Sequence, residues 1–293
     1  MICNLMSEPR SRVNRNLCFA AIFLGALLSG CVSPPPPEFA IYQQSFEEAS
    51  KATEDVLASY APFERAIRGP LDDSSFDPNL APFMVDDALA GHAQQIDRGF
   101  TAVESYNSVL VLYVNGDSIE TIKPQIGLFV KQAETAANMV VPGSSAVIGS
   151  AVALLTQFAG ALLAVEDRAA FRDVVARNSD KIIQFIHAAR HDSSLMYSAG
   201  YNQMSEQRSA AARADRDDEV RLLKEKQEEY RLLLARWVLL LDDLKDTVNA
   251  LQTAVTTDRE ASFTAVELDF WATELRERAE SVRFAAKVFT SNL

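Results

Sequence analysis

The sequence predicts an all-α fold, an elongated helical bundle with a long antiparallel coiled-coil-like hairpin at its C-terminus. Three observations predict it. Proline and glycine are concentrated in the first half, with six prolines and five glycines between Pro62 and Pro142. After Gly160 there is one glycine, Gly200, and no proline, so the second half can run as long helices. Few stretches alternate with the period of two that a half-buried strand needs. Leu223, Gln227, Tyr230, Leu234, Trp237, Leu241, Leu244, Val248, Leu251 and Val255 are spaced alternately by four and three, an unbroken heptad seam.

In chain order, a first helix is expected over about 38–67. The loop GPLDDSSFDPNLAPF ends it. A second helix from near Val85 to Val114 puts Val85, Leu89, His92, Ile96, Phe100, Val103, Leu110 and Tyr113 on one face. Asn115-Gly116-Asp117 marks a turn. A third helix follows over 119–141, with Pro124 near its start, where proline is tolerated. Pro142-Gly143 stops it, and Ser144 or Ser145 can cap the next helix. Phe171, Val174, Ile182, Phe185, Ala189, Met196 and Ala199 mark one face of a further helix.

The heptad helix and a final helix then form the hairpin, about 214–291. Arg221 with Glu225 and Lys224 with Glu228 are i,i+4 pairs on its flank. Thr257-x-x-Glu260 fits a capping box. Leu268, Trp271, Leu275, Ala279, Val282, Ala286 and Phe289 give the final helix its own seam, and the short connection favours antiparallel packing, with Trp237 near Trp271 or Leu275. The alternative is a partner seam through Tyr230, Trp237 and Leu241 that pairs with a second copy, so a homo-oligomer stays open. In either arrangement Gln227, the lone polar member, is expected to set register or oligomer state at some cost in stability, so Gln227→Leu is expected to stabilise the body.

At the N-terminus, Arg10, Arg12 and Arg15 precede an apolar run from Leu17 to Leu28. That run is too short to span a bilayer as a helix, which takes roughly 20 apolar residues, and it has the layout of a secretory signal. It ends at Leu28-Ser29-Gly30-Cys31, followed by Val32 and the prolines Pro34 to Pro37. This segment resembles the lipobox of bacterial lipoproteins. The resemblance covers about the first 35 residues and implies cleavage before Cys31, acylation of its thiol and attachment to a membrane. An aspartate after the cysteine often marks inner-membrane retention in that family, so Val32 implies an outer-membrane lipoprotein facing the periplasm if the source is Gram-negative. An ordinary signal peptide with a chance cysteine is the competing account. The expected organisation is thus 1–30 signal peptide, 31–37 lipidated cysteine and proline-rich spacer, and 38–293 helical body. The prolines favour extended polyproline geometry, at about 3.1 Å per residue.

Cleavage would change the net charge from −12 to −14, since it removes Arg10, Arg12, Arg15 and Glu8. Cys3 and Cys18 would go and Cys31 would be acylated, which leaves no thiol for a disulfide. The acidic balance argues against nucleic acid as a partner.

No constellation points to catalysis, and neither an enzyme activity nor a cofactor is expected. GxSxG, HExxH, CxxC and phosphate-cradling glycine loops are absent from the sequence. His187 and His191 stand at i,i+4 and are a weak metal candidate without an ExxH elsewhere to complete a bundle site. His92 reads as a satisfied core histidine. Asp215, Asp217, Asp218 and Glu219 read as a solvated helix start.

The segment AVIGSAVALLTQFAGALLAV, residues 146–165, has only Ser150, Thr156 and Gln157 as polar members. It is long enough to be a membrane span, but acidic residues follow it and no basic cluster flanks it. A core helix at the centre of a bundle is the favoured expectation, with Ile148, Leu154, Leu155, Phe158 and Leu162 as its core or membrane side chains. Long helices around one apolar segment are similar to helical pore-forming toxins of the cytolysin A type, in layout only and with no shared motif. The functional expectation is a lipid-anchored envelope module that is structural or binds an unknown protein partner. The alternative is a membrane-inserting or lipid-handling protein acting through 146–165.

Overall fold

The computed structural model describes residues 37–68, 78–85, 89–139, 145–257 and 261–291, and every regular element among them is helical. The order is α1 (Pro37–Arg68), a 3₁₀ turn (Pro78–Leu80) leading into the one-turn α2 (Ala81–Met84), α3 (Gly91–Val114), α4 (Ile119–Ala137), α5 (Ala146–Leu163), α6 (Arg168–Asn178), α7 (Asp180–Arg213), α8 (Asp217–Thr257) and α9 (Ala261–Ser291). Cys31 and the rest of the lipobox lie outside the described residues, as does Glu260 of the expected capping box.

Most boundaries fall near their expected places. α1 begins at Pro37, one residue early, because proline suits the first helical position, and it runs on through Pro62. α3 begins at Gly91, well after Val85, which is exposed. The helix expected across Phe171–Ala199 is two helices, α6 and α7, broken at Ser179, whose N–H closes α6 on the Val175 carbonyl. Ser118 caps α4 by accepting from the Thr121 N–H, and Ser145 caps α5 by accepting from those of Val147 and Ile148.

The long helices form a ring. α1 packs on α3, α3 on α4, α4 on α5, α5 on α7, α7 on α8, α8 on α9, and α9 back on α1, the most extensive pairing of all. α8 also reaches across to α1, α3 and α6. For that reason its buried stripe is wider than a two-stranded seam. All ten seam residues are buried, and so are Lys226, Leu233, Leu240, Thr247 and Ala254 beside them. Aromatic triads join the layers: Tyr106, Phe129 and Phe158 between α3, α4 and α5, and Phe63, Tyr230 and Phe289 between α1, α8 and α9.

Gly200 permits one of these contacts. A Cβ there would lie 2.5 Å from the Tyr230 ring and 3.0 Å from Phe63. After Gly160 the chain keeps a single glycine, and it lies where α7 passes close to Tyr230 of α8 and Phe63 of α1.

Three sequence expectations need correction. Tyr230, Trp237 and Leu241 are fully buried within the chain, so they are not a free partner seam. Trp237 is held by α1, donating its indole N–H to Thr53 Oγ1 at 3.2 Å, while Trp271 is half-buried. The flanking i,i+4 pairs are replaced by i,i+3 pairs, Arg221 with Asp218 and Arg231 with Glu228, all exposed.

Gln227 also changes meaning. Its amide donates to Ser205 Oγ (2.8 Å) and the Tyr201 carbonyl (3.3 Å), and its oxygen accepts from Arg208 (2.7 Å). It clamps α8 to α7. Gln227→Leu should therefore destabilise by about 1 kcal/mol instead of stabilising, because it strands half-buried polar groups. A urea midpoint above that of the parent would refute this.

Candidate functional site

Two acidic side chains among the described residues lie in the core on their own helices' apolar faces. Glu64, on α1, is buried four residues beyond Tyr60. Asp192, on α7, is 0 % exposed and sits between Ala189 and Met196. Each has a structural task.

Glu64 caps α3 from outside that helix. Its carboxylate accepts from the backbone N–H groups of His92 (2.6 Å) and Ala93 (3.1 Å). The cap residue of α3, Ala90, has no side chain for this work, so the first turn's donors are met by a carboxylate favoured by the helix dipole. Gly91 makes room. Its φ of +55° is a left-handed value, and a Cβ there would collide with Glu64 Oε1 and Phe83.

Asp192 joins three segments. Its Oδ2 lies 3.1 Å from Nε2 of His92, whose side chain is 4 % exposed. That is within ion-pair range, but the geometry is poorly aligned for a hydrogen bond, and His92 Nδ1 has no partner. Oδ1 accepts from Ser145 at 3.1 Å and lies 3.2 Å from Nδ1 of the exposed His191. The Tyr60 ring meets His92 edge-on at 6.5 Å. The expectation of a satisfied His92 is thus half met: it is buried, with one nitrogen beside a carboxylate and one unpaired.

Burial pushes the Asp192 carboxyl up. The close approach of the His92 imidazole, the contact with His191 and the hydrogen bond from Ser145 outweigh this and hold it below the ordinary carboxylate value. A depressed folded value contributes stability that is present above the unfolded value, about 3.9. That stability is lost as pH falls through the folded value. Asp192→Asn should cost about 1–3 kcal/mol at neutral pH, and the gap to the parent should narrow once the pH is taken below about 3.9. Urea unfolding in both pH ranges checks it.

Chemically the cluster is a staple. The Ser145 hydroxyl points its hydrogen at the carboxylate, and it is the carboxylate that touches the imidazole. Nucleophilic catalysis needs the hydroxyl on the imidazole instead. His187 and His191 are both exposed, and His191 is turned to Asp192. No group of three or more His, Cys, Asp or Glu side chains among the described residues is placed to hold a metal ion. The chain matches no known protein family, no curated protein and no solved structure.

Sequence reasoning missed Glu64 and Asp192 as buried groups. Their periodicity could have found them, since both fall in register with the apolar face of their helix.

The apolar helix α5 is placed at the bundle's periphery. Seven of its 18 residues are buried: Ile148, Ala151, Val152, Leu155, Phe158, Ala159 and Leu162. They face α4 and α7. Leu154 is half-buried. The outward strip runs through Val147, Ser150, Ala153, Gln157, Gly160 and Leu163, all exposed. A core helix surrounded on all sides was the expectation, and α5 instead has one covered face. By length and composition it could still cross a membrane.

Proposed function

We propose that this chain is a lipid-anchored helical module of the bacterial cell envelope, held to a membrane through Cys31 and acting by binding other proteins. The observation that carries the anchor is the order of parts at the N-terminus: three arginines, an apolar run, Leu28-Ser29-Gly30-Cys31 and then prolines. It is supported by a helix of the bundle beginning at Pro37, six positions past Cys31. Val32 favours the outer membrane with the body in the periplasm. Several acyl chains on one residue give a stable anchor where one would be marginal.

Side chains exposed on α8 and α9 support protein binding: Leu232, Leu239 and Phe284 are large, apolar and solvent-facing. These two helices make an antiparallel hairpin in this reading. Supporting it, Arg278 pairs with Asp243 at 2.9 Å and Arg236 donates to the Ser281 carbonyl at 3.2 Å, so numbers fall on α8 as they rise on α9.

The anchor is tested by metabolic labelling with a fatty-acid analogue. The parent should take the label and Cys31→Ala should lose it entirely, with unprocessed protein accumulating. Label retained on Cys31→Ala would sink the proposal.

A second reading, membrane insertion through α5, is favoured by one observation: a helix apolar enough to span with its outer face open. Well-folded protein that releases dye from liposomes would support it.

A further inference from the structure

Beyond the anchor itself, we infer that the bundle end at which the chain enters carries a lipid-contacting face, formed by Val266, Phe270 and Trp271 at the start of α9 with Ile41 on α1. The inference rests on the lipid-anchored reading above.

The face follows from helix direction. Asp55 pairs with Arg283 at 3.4 Å, and Phe63 packs on Phe289 with ring centroids 6.2 Å apart. Numbers rise together, so α1 and α9 are parallel and both begin at the same end. Counting back equally from Asp55 and Arg283, at 1.5 Å per residue, sets Ile41 level with the residues beside Phe270. Val266 is 72 % exposed and Phe270 58 %, one helical turn apart. Ile41 is also exposed. The Trp271 ring stands edge-on to Phe270 at 5.3 Å, half-buried. Three large apolar groups and an indole with a polar N–H at one end of a bundle match the chemistry of the bilayer interface, where tryptophan is enriched.

The tether selects the occupant. Pro37 lies six positions after Cys31, and an extended chain spans at most about 3.6 Å per residue. The start of α1 therefore stays within roughly 20 Å of an acylated Cys31, and Ile41 lies one turn further on. Glu267 and Asp269 flank the face, so a zwitterionic surface suits it better than an anionic one.

The chain has two tryptophans, and Trp237 is fully buried, so Trp271 is an intrinsic reporter. Full-length acylated protein is floated with phosphatidylcholine vesicles, plain or brominated on the acyl chains. Brominated lipid should quench the Trp271 share of the emission by about twofold, the depth of an interfacial indole. Trp271→Phe should remove the bromine-dependent loss and Phe270→Ser should cut it. Adding phosphatidylglycerol should not increase it. Protein that floats but is not quenched overturns the inference and leaves the anchor standing. Fatty-acid label retained on Cys31→Ala, with quenching as full as in the parent, overturns the anchor and leaves this face. Protein that does not float at all overturns both. Unquenched Trp271 in a dimer that Phe270→Ser dissociates would assign the face to a second copy, and overturns it as well.

Discussion

Trp237→Ala should lower the unfolding free energy by about 3–5 kcal/mol, the range for large aromatic truncations in packed cores. The indole is fully buried mid-way along α8, a helix that packs against α1, α3, α6, α7 and α9. Its loss removes dispersion contacts on all sides and strips the Thr53 hydroxyl of the donor it accepts from across the α1–α8 contact. Trp237→Phe keeps much of the volume and should cost distinctly less. Urea titration followed by circular dichroism gives both numbers, and an unchanged slope would show that the denatured state is unaffected. A change below about 1 kcal/mol for Trp237→Ala would remove this residue from the core. Because Tyr230, Trp237 and Leu241 are covered within one chain, the melting temperature should not rise with protein concentration, as it would if the seam joined two copies.

Leu155→Asp should be comparably severe, on the order of 3–5 kcal/mol, because it strands an unpaired carboxylate in an apolar site. Leu155 lies on the covered face of α5, in a row with Ile148, Phe158 and Leu162. Ala153→Asp, on the exposed strip of the same helix, should change stability by no more than about 0.5 kcal/mol. The contrast between two aspartates two residues apart tests the placement of α5, and it separates the functional readings too. If α5 inserts into membranes, both substitutions should abolish dye release from liposomes, including the one that leaves the fold intact. If α5 is only a structural helix, neither protein nor the parent should release dye.

The long regular elements were legible because burial repeats with the helix period. The heptad from Leu223 to Val255 predicted each buried residue on that line. It could not show that Leu233, Leu240 and Thr247 are also covered, since a linear pattern does not reveal how many neighbours a helix has. The break at Ser179 was missed because neither proline nor glycine marks it. The polar triplet Asn178-Ser179-Asp180 does the work, closing one helix and opening the next. The position of α5 was misread for a related reason. Apolar composition all round suggested a central helix, yet on the outer strip Ser150, Ala153 and Gly160 are small and Gln157 is polar, and the large apolar side chains that meet water there are Val147 and Leu163 near the two ends of the helix. Of the polar core, His92 was visible on an apolar face, but its neighbours were not. Glu64 and Asp192 look in isolation like solvated charges, and only tertiary packing brings them to the α3 terminus and to His92.

The closure of the ring by α1 and α9 bears on how the chain folds. The most extensive helix pairing joins the first long segment to the last, and Arg283 meets Asp55 across 228 positions of sequence. Contacts so remote carry a large loop-closure entropy and raise contact order, which slows the search for the native state. Local pairs such as α3 with α4 or α7 with α8 can form as soon as their residues are available. α1 cannot complete its apolar coverage until the final helix arrives. A chain emerging from a ribosome or a translocation pore N-terminus first would thus hold Tyr42, Phe46, Val56 and Leu57, all buried in the finished bundle, partly uncovered until its last thirty or so residues were released. Nascent-chain binding by chaperones should fall on α1 for that interval.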